Sequence, residues 1–130
     1  MIDVPPCLTV GFFRIARKNS FLSTYRVQVG AVLAKRRPIS FGHNKVKTHP
    51  TFANPEKHLK ASIHAEIACL IKADIKDIIG SSIYVYREDK EGNPKLSRPC
   101  NMCMKRLKEF GVKEIFYSIE HYPYWDSEKI

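Results

Sequence analysis

The sequence lacks any long apolar run. Its strongly apolar stretches are short, such as residues 67–71, whereas a membrane-spanning helix needs about 18 consecutive apolar residues. The beginning of the chain, MIDVPPCL, contains an acid and two prolines where a signal peptide has basic residues followed by an apolar segment. The sequence therefore argues against a membrane span and an export signal, and we expect a cytoplasmic protein.

Acidic residues are nearly absent from the first 60 residues. This segment contains 11 lysines and arginines but only Asp3 and Glu56, whereas residues 61–130 contain 11 basic and 11 acidic residues. The whole net charge of +9 therefore belongs to the first 60 residues. A positive field of this kind attracts phosphate on a nucleotide or a nucleic acid, although it also fits a solvated surface that keeps the protein soluble.

An export signal is lacking, so the four cysteines of the chain do not indicate a disulfide framework. Cys100 and Cys103 are three positions apart, behind Pro99, at the predicted start of a helix. This spacing places both thiols on one side of the helix, so that one ion can reach both. The helix N-terminus also stabilises thiolates, which suits a metal site and a redox dithiol equally well.

Hydrophobic periodicity predicts helices and strands in most of the chain. The predicted order is a helix around residues 8–16, a strand at 25–34 in a hairpin with a strand that begins at 39, a loop at 42–60, a helix at 62–73, a strand at 82–87, a helix at 100–110 and a strand at 112–118. The aromatic tail, residues 120–130, is predicted to be irregular. Because strands alternate with helices, we expect a mixed sheet with helices packed on it.

A third metal ligand is present in the sequence HAE, residues 64–66, at the start of the second long helix. One histidine and two cysteines form a good zinc ligand set. Cys69 comes about 140° further round the helix than His64, so we expect it to face the core. Cys7 belongs to a different element, and it too is predicted to be a buried, small apolar residue. The site then keeps an open position, as catalytic zinc sites do, and Glu66 is the natural general acid and base.

The motif His64-x-Glu66 followed by Pro99-Cys100-x-x-Cys103 resembles the signature of the zinc-dependent cytidine and deoxycytidylate deaminase superfamily. The resemblance continues in VGAV and GHN, which match the family's hairpin, and in GVKEIFYS, which matches the strand after the cysteine helix. It implies an α/β, cytidine deaminase-like fold with three layers, α/β/α, around a mixed central sheet. It also implies a single deaminase domain over residues 1–130.

The resemblance further implies the chemistry. Three residues would bind Zn²⁺, namely His64, Cys100 and Cys103. The metal would activate a water for attack on C4 of cytosine, while Glu66 transfers protons to N3 and to the departing amine. Asn44 would hydrogen-bond the substrate, and the backbone amide of Ala65 would bind the base carbonyl. A histidine as the first ligand is typical of the nucleotide and polynucleotide branches, whereas nucleoside deaminases typically use a cysteine there.

Two substrate classes remain open within this chemistry. The first hypothesis is a nucleotide, with dCMP converted to dUMP and ammonia, and with Lys45 and Lys47 holding the monophosphate. The second is single-stranded DNA or RNA, at cytosine or at tRNA adenine, guided by the basic first half of the chain and by aromatic residues of the tail, namely Tyr122, Tyr124 and Trp125. Those aromatic residues also fit a tail packed against the sheet, which is the interpretation that we favour.

Two further hypotheses come from other classes of protein. A nucleic-acid-binding module with purely structural zinc predicts that Glu66→Ala leaves the function intact. A thiol redox protein predicts that chelators have no effect. The presence of Glu66 and the missing fourth ligand count against the structural-zinc hypothesis. The sequence leaves open whether the protein forms a homo-oligomer, which is common in the resembling family.

Overall fold

The computed structural model describes residues 6–46 and 62–130. A short 3-10 helix, Pro6–Thr9, precedes the first α-helix. The α-helices are α1 (Phe13–Ser20), α2 (Ala65–Lys72), α3 (Ile75–Ile78) and α4 (Asn101–Glu109). The strands are β1 (Val29–Ala34), β2 (Pro38–His43), β3 (Lys45–Val46), β4 (Ser62–Ile63), β5 (Ser82–Arg87), β6 (Glu114–Ser118) and β7 (Trp125–Lys129). Among the helices of these two ranges, none combines the length and the apolar character that a membrane span requires.

Five strands form the central sheet in the order β2–β1–β5–β6–β7. Strand β1 is antiparallel to both β2 and β5, whereas β5 and β6 are parallel, and β7 is antiparallel to β6. Parallel neighbours need a crossover connection, and α4 belongs to the one between β5 and β6. Strands β3 and β4 form a separate antiparallel ladder directly before α2. The sheet is therefore mixed, as predicted.

Helices cover both faces of this sheet. Alternate residues of a strand point to opposite faces, and in β1 both sets are apolar because both faces are covered. Ala31 and Leu33 pack into the larger core cluster with residues of α2 and α4. Val32 packs on the other face against Phe13 and Ala16 of α1. The predicted three-layer α/β/α arrangement is confirmed.

Two glycines allow the helices to approach the sheet closely. A Cβ atom on Gly30 of β1 would lie 2.0 Å from the carbonyl oxygen of Ala16 in α1. A Cβ atom on Gly42 of β2 would lie 2.4 Å from the carbonyl oxygen of Ala65, in the first turn of α2. Neither separation is compatible with a side chain. Gly42 thus fixes how near the start of α2 comes to the sheet.

The predicted element boundaries are correct for some segments and wrong for others. The strand at 82–87 and the hairpin are confirmed. The first helix is longer at its C-terminal end, because α1 runs from residue 13 to residue 20 after a separate 3-10 turn. The first strand begins at Val29 rather than at residue 25, since residues 25–28 form a loop. Helix α3 was not predicted because it has only four residues.

The prediction of an irregular tail is wrong. Residues 125–129 form β7, which pairs with β6 over its full length and completes the sheet. The ring of Trp125 lies 6.0 Å from the ring of Phe116 and 6.5 Å from that of Phe13, so this part of the tail packs against the sheet. Tyr122 remains 75% exposed. The favoured interpretation of the aromatic residues is therefore correct for Trp125.

Candidate metal centre and active site

Three residues that are distant in the sequence meet at the starts of two helices. His64 is the residue before α2, Cys100 is the residue before α4, and Cys103 lies in the first turn of α4. The Nδ1 atom of His64 lies 3.2 Å from the Sγ atom of Cys103 and 3.6 Å from that of Cys100. The structure thus brings together the three residues that the motif singles out.

The backbone explains why these side chains are available as ligands. His64 and Cys100 both have extended backbone angles, and neither side chain caps the helix that follows it. Ser62 belongs to β4, and His64 occupies the position directly before α2. The side chain of His64 therefore points to the cysteines instead of back to its own helix.

The geometry of the triad fits a zinc ion. One donor atom each of His64, Cys100 and Cys103 can be chosen so that all three lie within 4.8 Å of one another. One nitrogen and two sulfurs are the soft donors that zinc accepts in a tetrahedral site. Within residues 6–46 and 62–130, no fourth histidine, cysteine or carboxylate joins this group. The donor set therefore leaves a tetrahedral position for water or substrate.

The other two cysteines lie in the core, as predicted. Cys7 and Cys69 have no exposed surface. Burial raises the pKa of the Cys7 thiol to about 11, and burial also raises the pKa of the Cys69 thiol. The Cys69 thiol is near the carbonyl oxygen of Ser40, at 3.9 Å. Both residues act as small apolar side chains and stand apart from the triad.

Glu66 is a buried carboxyl group beside the triad. It is only 4% exposed, and burial raises the pKa of its carboxyl group to about 7, although a hydrogen bond with Cys103 opposes this shift. A carboxyl group with a pKa near neutrality can both accept and donate a proton at physiological pH. Burial also raises the pKa of the Cys103 thiol well above its ordinary value, so that metal binding must displace its proton.

A cavity of about 470 Å³ opens over this group, a size that suits a small-molecule ligand. His64, Ala65, Glu66 and Cys100 line one part of its wall. The remaining wall includes the loop before β1, the end of β5 and the segment before α4. Ala65 opens α2, where the backbone N–H groups have no partner within the helix, and it is therefore placed where an amide could bind a ligand oxygen.

Asn44 also lines the cavity, and its side chain bonds to the backbone of the loop before β1. Its Oδ1 atom accepts a hydrogen bond from the Val29 amide at 2.9 Å, and its Nδ2 atom donates to the Val27 carbonyl at 2.7 Å. An asparagine amide has a second hydrogen on nitrogen and a second lone pair on oxygen. Asn44 therefore holds the loop and keeps capacity for one further donor and one further acceptor bond.

Unlike Asn44, neither lysine of the phosphate hypothesis is among the described residues that line the cavity. Lys45 is in β3, paired with Ile63 of β4, and it is not among the described residues that line the cavity. Lys47 lies outside the described residues. Three arginines line the cavity instead, namely Arg26, Arg87 and Arg98. Arg26 and Arg87 carried no motif signal, and both lie within segments predicted as strands, at 25–34 and 82–87.

The segment that leads into Cys100 is fastened to the sheet by two buried serines. The Ser97 hydroxyl donates to the Val85 carbonyl at 2.8 Å and accepts from the Ser118 amide at 2.9 Å. The Ser118 hydroxyl donates to the Lys95 carbonyl at 2.7 Å and accepts from the Arg87 amide at 3.1 Å. Because these bonds are buried or partly buried, they hold the approach to the metal ligand in one position.

A bidentate ion pair completes this attachment. Arg98 bonds through two nitrogens to Glu128 of β7, with Nη2 and Oε1 3.0 Å apart, and the hydroxyl of Tyr117 donates to the same carboxylate at 2.9 Å. The neighbouring carboxylate therefore satisfies the charge of Arg98. Strand β7, absent from the predicted fold, supplies this partner.

The comparison of the sequence with known protein families agrees with this geometry. Residues 12–119 match the family described as the cytidine and deoxycytidylate deaminase zinc-binding region. The chain belongs to this deaminase family. The matched region contains the triad, Glu66 and the lining of the cavity, and a zinc-binding site is a property of the family. Among curated proteins, none is similar enough in sequence to count as a match.

Solved structures show the same fold at low sequence identity. The dCMP deaminase from the cyanophage S-TIM5 in its apo form is 23% identical, with a TM-score of 0.61, and the alignment covers 92% of this chain and 89% of that one. The same phage enzyme in complex with dCMP and dUMP is 22% identical, with a TM-score of 0.60, over 91% of this chain and 85% of that one. The predicted cytidine deaminase-like fold is confirmed.

Proposed function

We propose that this protein is a zinc-dependent hydrolase that deaminates the cytosine base of a nucleotide, with dCMP converted to dUMP and ammonia. The observation that carries the proposal is the open triad of His64, Cys100 and Cys103 beside the buried carboxyl group of Glu66. Membership of the deaminase family supports the reaction. The likeness to a phage enzyme that binds dCMP and dUMP supports the choice of nucleotide. We further propose that residues 1–130 act as one deaminase domain of a cytoplasmic, nucleotide-pool enzyme.

Each described residue of the site has a role in this proposal. When bound, the zinc ion supplies Lewis-acid activation of water, and its proposed ligands are His64, Cys100 and Cys103. Glu66 accepts one proton from the attacking water and delivers it to N3 of the ring. It then accepts the second proton, from the hydroxyl group formed at C4, and delivers it to the amine, so that the C4–N bond breaks and ammonia leaves as the C4 carbonyl forms. Burial raises the pKa of the Glu66 carboxyl group above its ordinary value, which favours uptake of a proton from water.

The substrate-binding roles rest on the cavity wall. The free backbone N–H of Ala65 binds the carbonyl oxygen of the base, since the first turn of α2 faces the cavity. Asn44 uses its remaining donor and acceptor capacity for the sugar hydroxyl while it holds the loop before β1. We also propose that Lys45 and Lys47 contribute to the positive field that attracts the phosphate.

A substrate panel tests the proposal. The zinc-loaded protein is incubated with cytidine, deoxycytidine, CMP, dCMP, dCTP, single-stranded DNA, RNA and tRNA, and mass spectrometry detects replacement of the amino group by oxygen. We expect conversion of dCMP, and no conversion by the Glu66→Gln variant, which keeps the size of the side chain but cannot transfer the proton. Conversion of a polymer with free nucleotides untouched would replace this proposal by the strand-deaminase hypothesis.

A further inference from the structure

Positive charge without acidic neighbours in the sequence is concentrated in the first described part of the chain. Residues 6–46 contain eight lysines and arginines and no aspartate or glutamate, whereas residues 62–130 contain 11 residues of each sign. The first segment forms α1, β1 and β2, which are neighbours in the fold, because α1 packs on β1 and β1 pairs with β2. The excess charge therefore gathers in one part of the molecule.

Five of these cations are exposed on α1 and on the turn that joins β1 to β2. Arg14 and Lys18 are four positions apart, so they lie one above the other on α1, away from the side on which Phe13 and Ala16 are buried. Residues 35–37 form the turn, and all three are exposed. These five residues form the basic surface: Arg14, Lys18, Lys35, Arg36 and Arg37.

The direction of α1 brings its first cation toward the turn. The carbonyl oxygen of Ala16 lies against Gly30 at the start of β1, and Phe13 packs with Val32 further along the same strand. Helix α1 therefore runs against the direction of β1. Its first turn, with Arg14, lies toward the end of the sheet where the hairpin turn lies.

The charge of the basic surface is not neutralised by the described part of the chain. Within residues 6–46 and 62–130, no carboxylate forms an ion pair with any of the five cations. Arg17, on the same helix as Arg14 and Lys18, shows the contrast, because its Nε atom lies 2.7 Å from a carboxylate oxygen of Glu88. The five exposed charges create a positive potential that attracts a polyanion.

Two aromatic rings are exposed in the same part of the molecule. Phe21 directly follows α1 and is 48% exposed, and the guanidinium carbon of Arg17 lies 4.9 Å from the centroid of its ring. Phe41 of β2 is 42% exposed, and it lies on the α1 side of the sheet because it is paired with Val32, which packs against α1. Exposed rings beside cations are suited to stacking against nucleic-acid bases.

These features favour a single-stranded nucleic acid over a membrane or an acidic protein. A helix that binds a membrane surface exposes its apolar side, whereas Phe13 and Ala16 of α1 have no exposed surface. The core of a protein–protein interface is depleted in charged residues, whereas this surface consists of them. A single strand presents both phosphates for the cations and unstacked bases for the two rings.

We propose that the basic surface binds the phosphate backbone of single-stranded nucleic acid, while Phe21 and Phe41 stack against its bases. This site is separate from the proposed reaction, because none of the five cations and neither ring lines the cavity over the metal triad. Binding of a strand here needs no zinc and no turnover, and it places the enzyme on nucleic acid while the cavity stays open to a free nucleotide.

Fluorescence anisotropy with a labelled oligothymidylate tests the electrostatic part. Thymine has no exocyclic amino group, so binding is measured without deamination. For a single strand, each phosphate contact contributes about 0.7 to the slope of log affinity against log salt concentration. Loss of four cations should therefore reduce the slope by roughly 3 and the affinity at about 0.1 M salt by roughly 100- to 1,000-fold. The variant combines Arg14→Gln, Lys18→Gln, Arg36→Gln and Arg37→Gln.

The matched control removes the same number of charges from exposed lysines of α3, α4 and the segment before β6. Because both variants have the same net charge, the comparison separates the location of the cations from the total charge of the protein. The control should keep nearly the wild-type affinity, and an equal loss in the two variants would overturn the assignment. Circular dichroism verifies that both are folded. The control combines Lys76→Gln, Lys105→Gln, Lys108→Gln and Lys113→Gln.

Two single variants test the stacking part. Phe21→Ala and Phe41→Ala should each weaken oligothymidylate binding by roughly 5- to 150-fold without changing the salt slope, because a ring contributes stacking but no charge. Leu22→Ala is the control, since Leu22 is exposed next to Phe21 but has no ring, and it should leave the affinity unchanged. Unchanged affinity in both phenylalanine variants would overturn the stacking role.

Other polyanions decide whether the partner is a nucleic acid. If vesicles of phosphatidylserine and phosphatidylcholine, or polyglutamate, bind the protein and oligothymidylate does not, the proposed partner is wrong. If duplex DNA binds more tightly than oligothymidylate, the preference for a single strand is wrong. A protein that binds the strand but deaminates nothing refutes only the reaction, whereas one that deaminates dCMP but binds no strand refutes only this surface.

Discussion

The Nδ1 atom of His64 and the Sγ atom of Cys103 lie 3.2 Å apart although 39 positions separate them in the chain. The contact joins the starts of α2 and α4, on the same side of the sheet. At this separation the two atoms can share one metal ion with Cys100. A metal at this point therefore links two segments that lie far apart in the sequence.

Zinc content should depend on each member of the triad. The wild type is expected to bind about one zinc per chain, and His64→Ala, Cys100→Ser or Cys103→Ser should bind far less, because two ligands alone hold zinc weakly. Inductively coupled plasma mass spectrometry of the purified variants measures this directly. The matched control is Cys69→Ala, a change to a buried cysteine of α2 that points away from the triad. Loss of zinc in folded Cys69→Ala would contradict the assignment.

Removal of the metal should lower the stability of the fold. Zinc binds the native arrangement of the triad far better than the unfolded chain, so saturation at about 100 times its dissociation constant adds about 2.7 kcal/mol. Thermal unfolding with and without a chelator measures the effect. In the triad variants the chelator should change Tm much less than in the wild type, and an equal change in both would show that the metal stabilises the protein elsewhere.

Gly42→Ala should disturb the start of α2. The added Cβ would lie 2.4 Å from the Ala65 carbonyl oxygen and 2.9 Å from the Ala68 Cβ, so the helix must shift, at a cost of about 1–3 kcal/mol. Since that turn carries the site, zinc affinity should fall as well. Gly80→Ala is the control, because nothing lies within 4 Å of its added Cβ and only its positive φ is strained. Urea unfolding measures the stability of both variants. Zinc titration should show a loss of zinc affinity in Gly42→Ala alone.

Ser118→Ala should loosen the segment before Cys100. Ser118 has no exposed surface, and its hydroxyl bonds to the Lys95 carbonyl and the Arg87 amide. Leaving such buried partners unsatisfied costs about 1–3 kcal/mol. We expect lower stability in urea and weaker zinc binding. Ser127→Ala, on the half-buried β7 strand, is the comparison that should leave both values unchanged. Equal effects in the two variants would refute the anchoring role of Ser118.

The sequence was most informative where residues close together in the chain carry the pattern. The spacing of Cys100 and Cys103 and the apolar periodicity of β5 and α2 are local signals, and the corresponding elements lie where they were predicted. The burial of Cys69 also followed from helix geometry alone. Local periodicity therefore indicated the main strands of the sheet and the two helices next to the proposed ligands, although the helix predicted from residue 62 begins at Ala65 because residues 62–63 form β4.

Features that depend on tertiary contacts were not visible in the sequence. Strand β7 is rich in polar residues, and it is a strand because β6 offers an unpaired edge and Trp125 an apolar anchor. Arg26 and Arg87 share a cavity only because the loop before β1 and the end of β5 are brought together by the sheet register. Likewise, the hydrogen bonds of Asn44 to that loop depend on strand pairing rather than on sequence spacing.

The most direct test of the proposed reaction is deamination of dCMP in water enriched in oxygen-18. The zinc-loaded wild type should convert dCMP to dUMP that carries one solvent oxygen at C4, with release of one ammonia, and Glu66→Gln should bind zinc equally well but form no dUMP. Absence of dUMP from the wild type with zinc bound, or equal conversion by Glu66→Gln, would contradict the account.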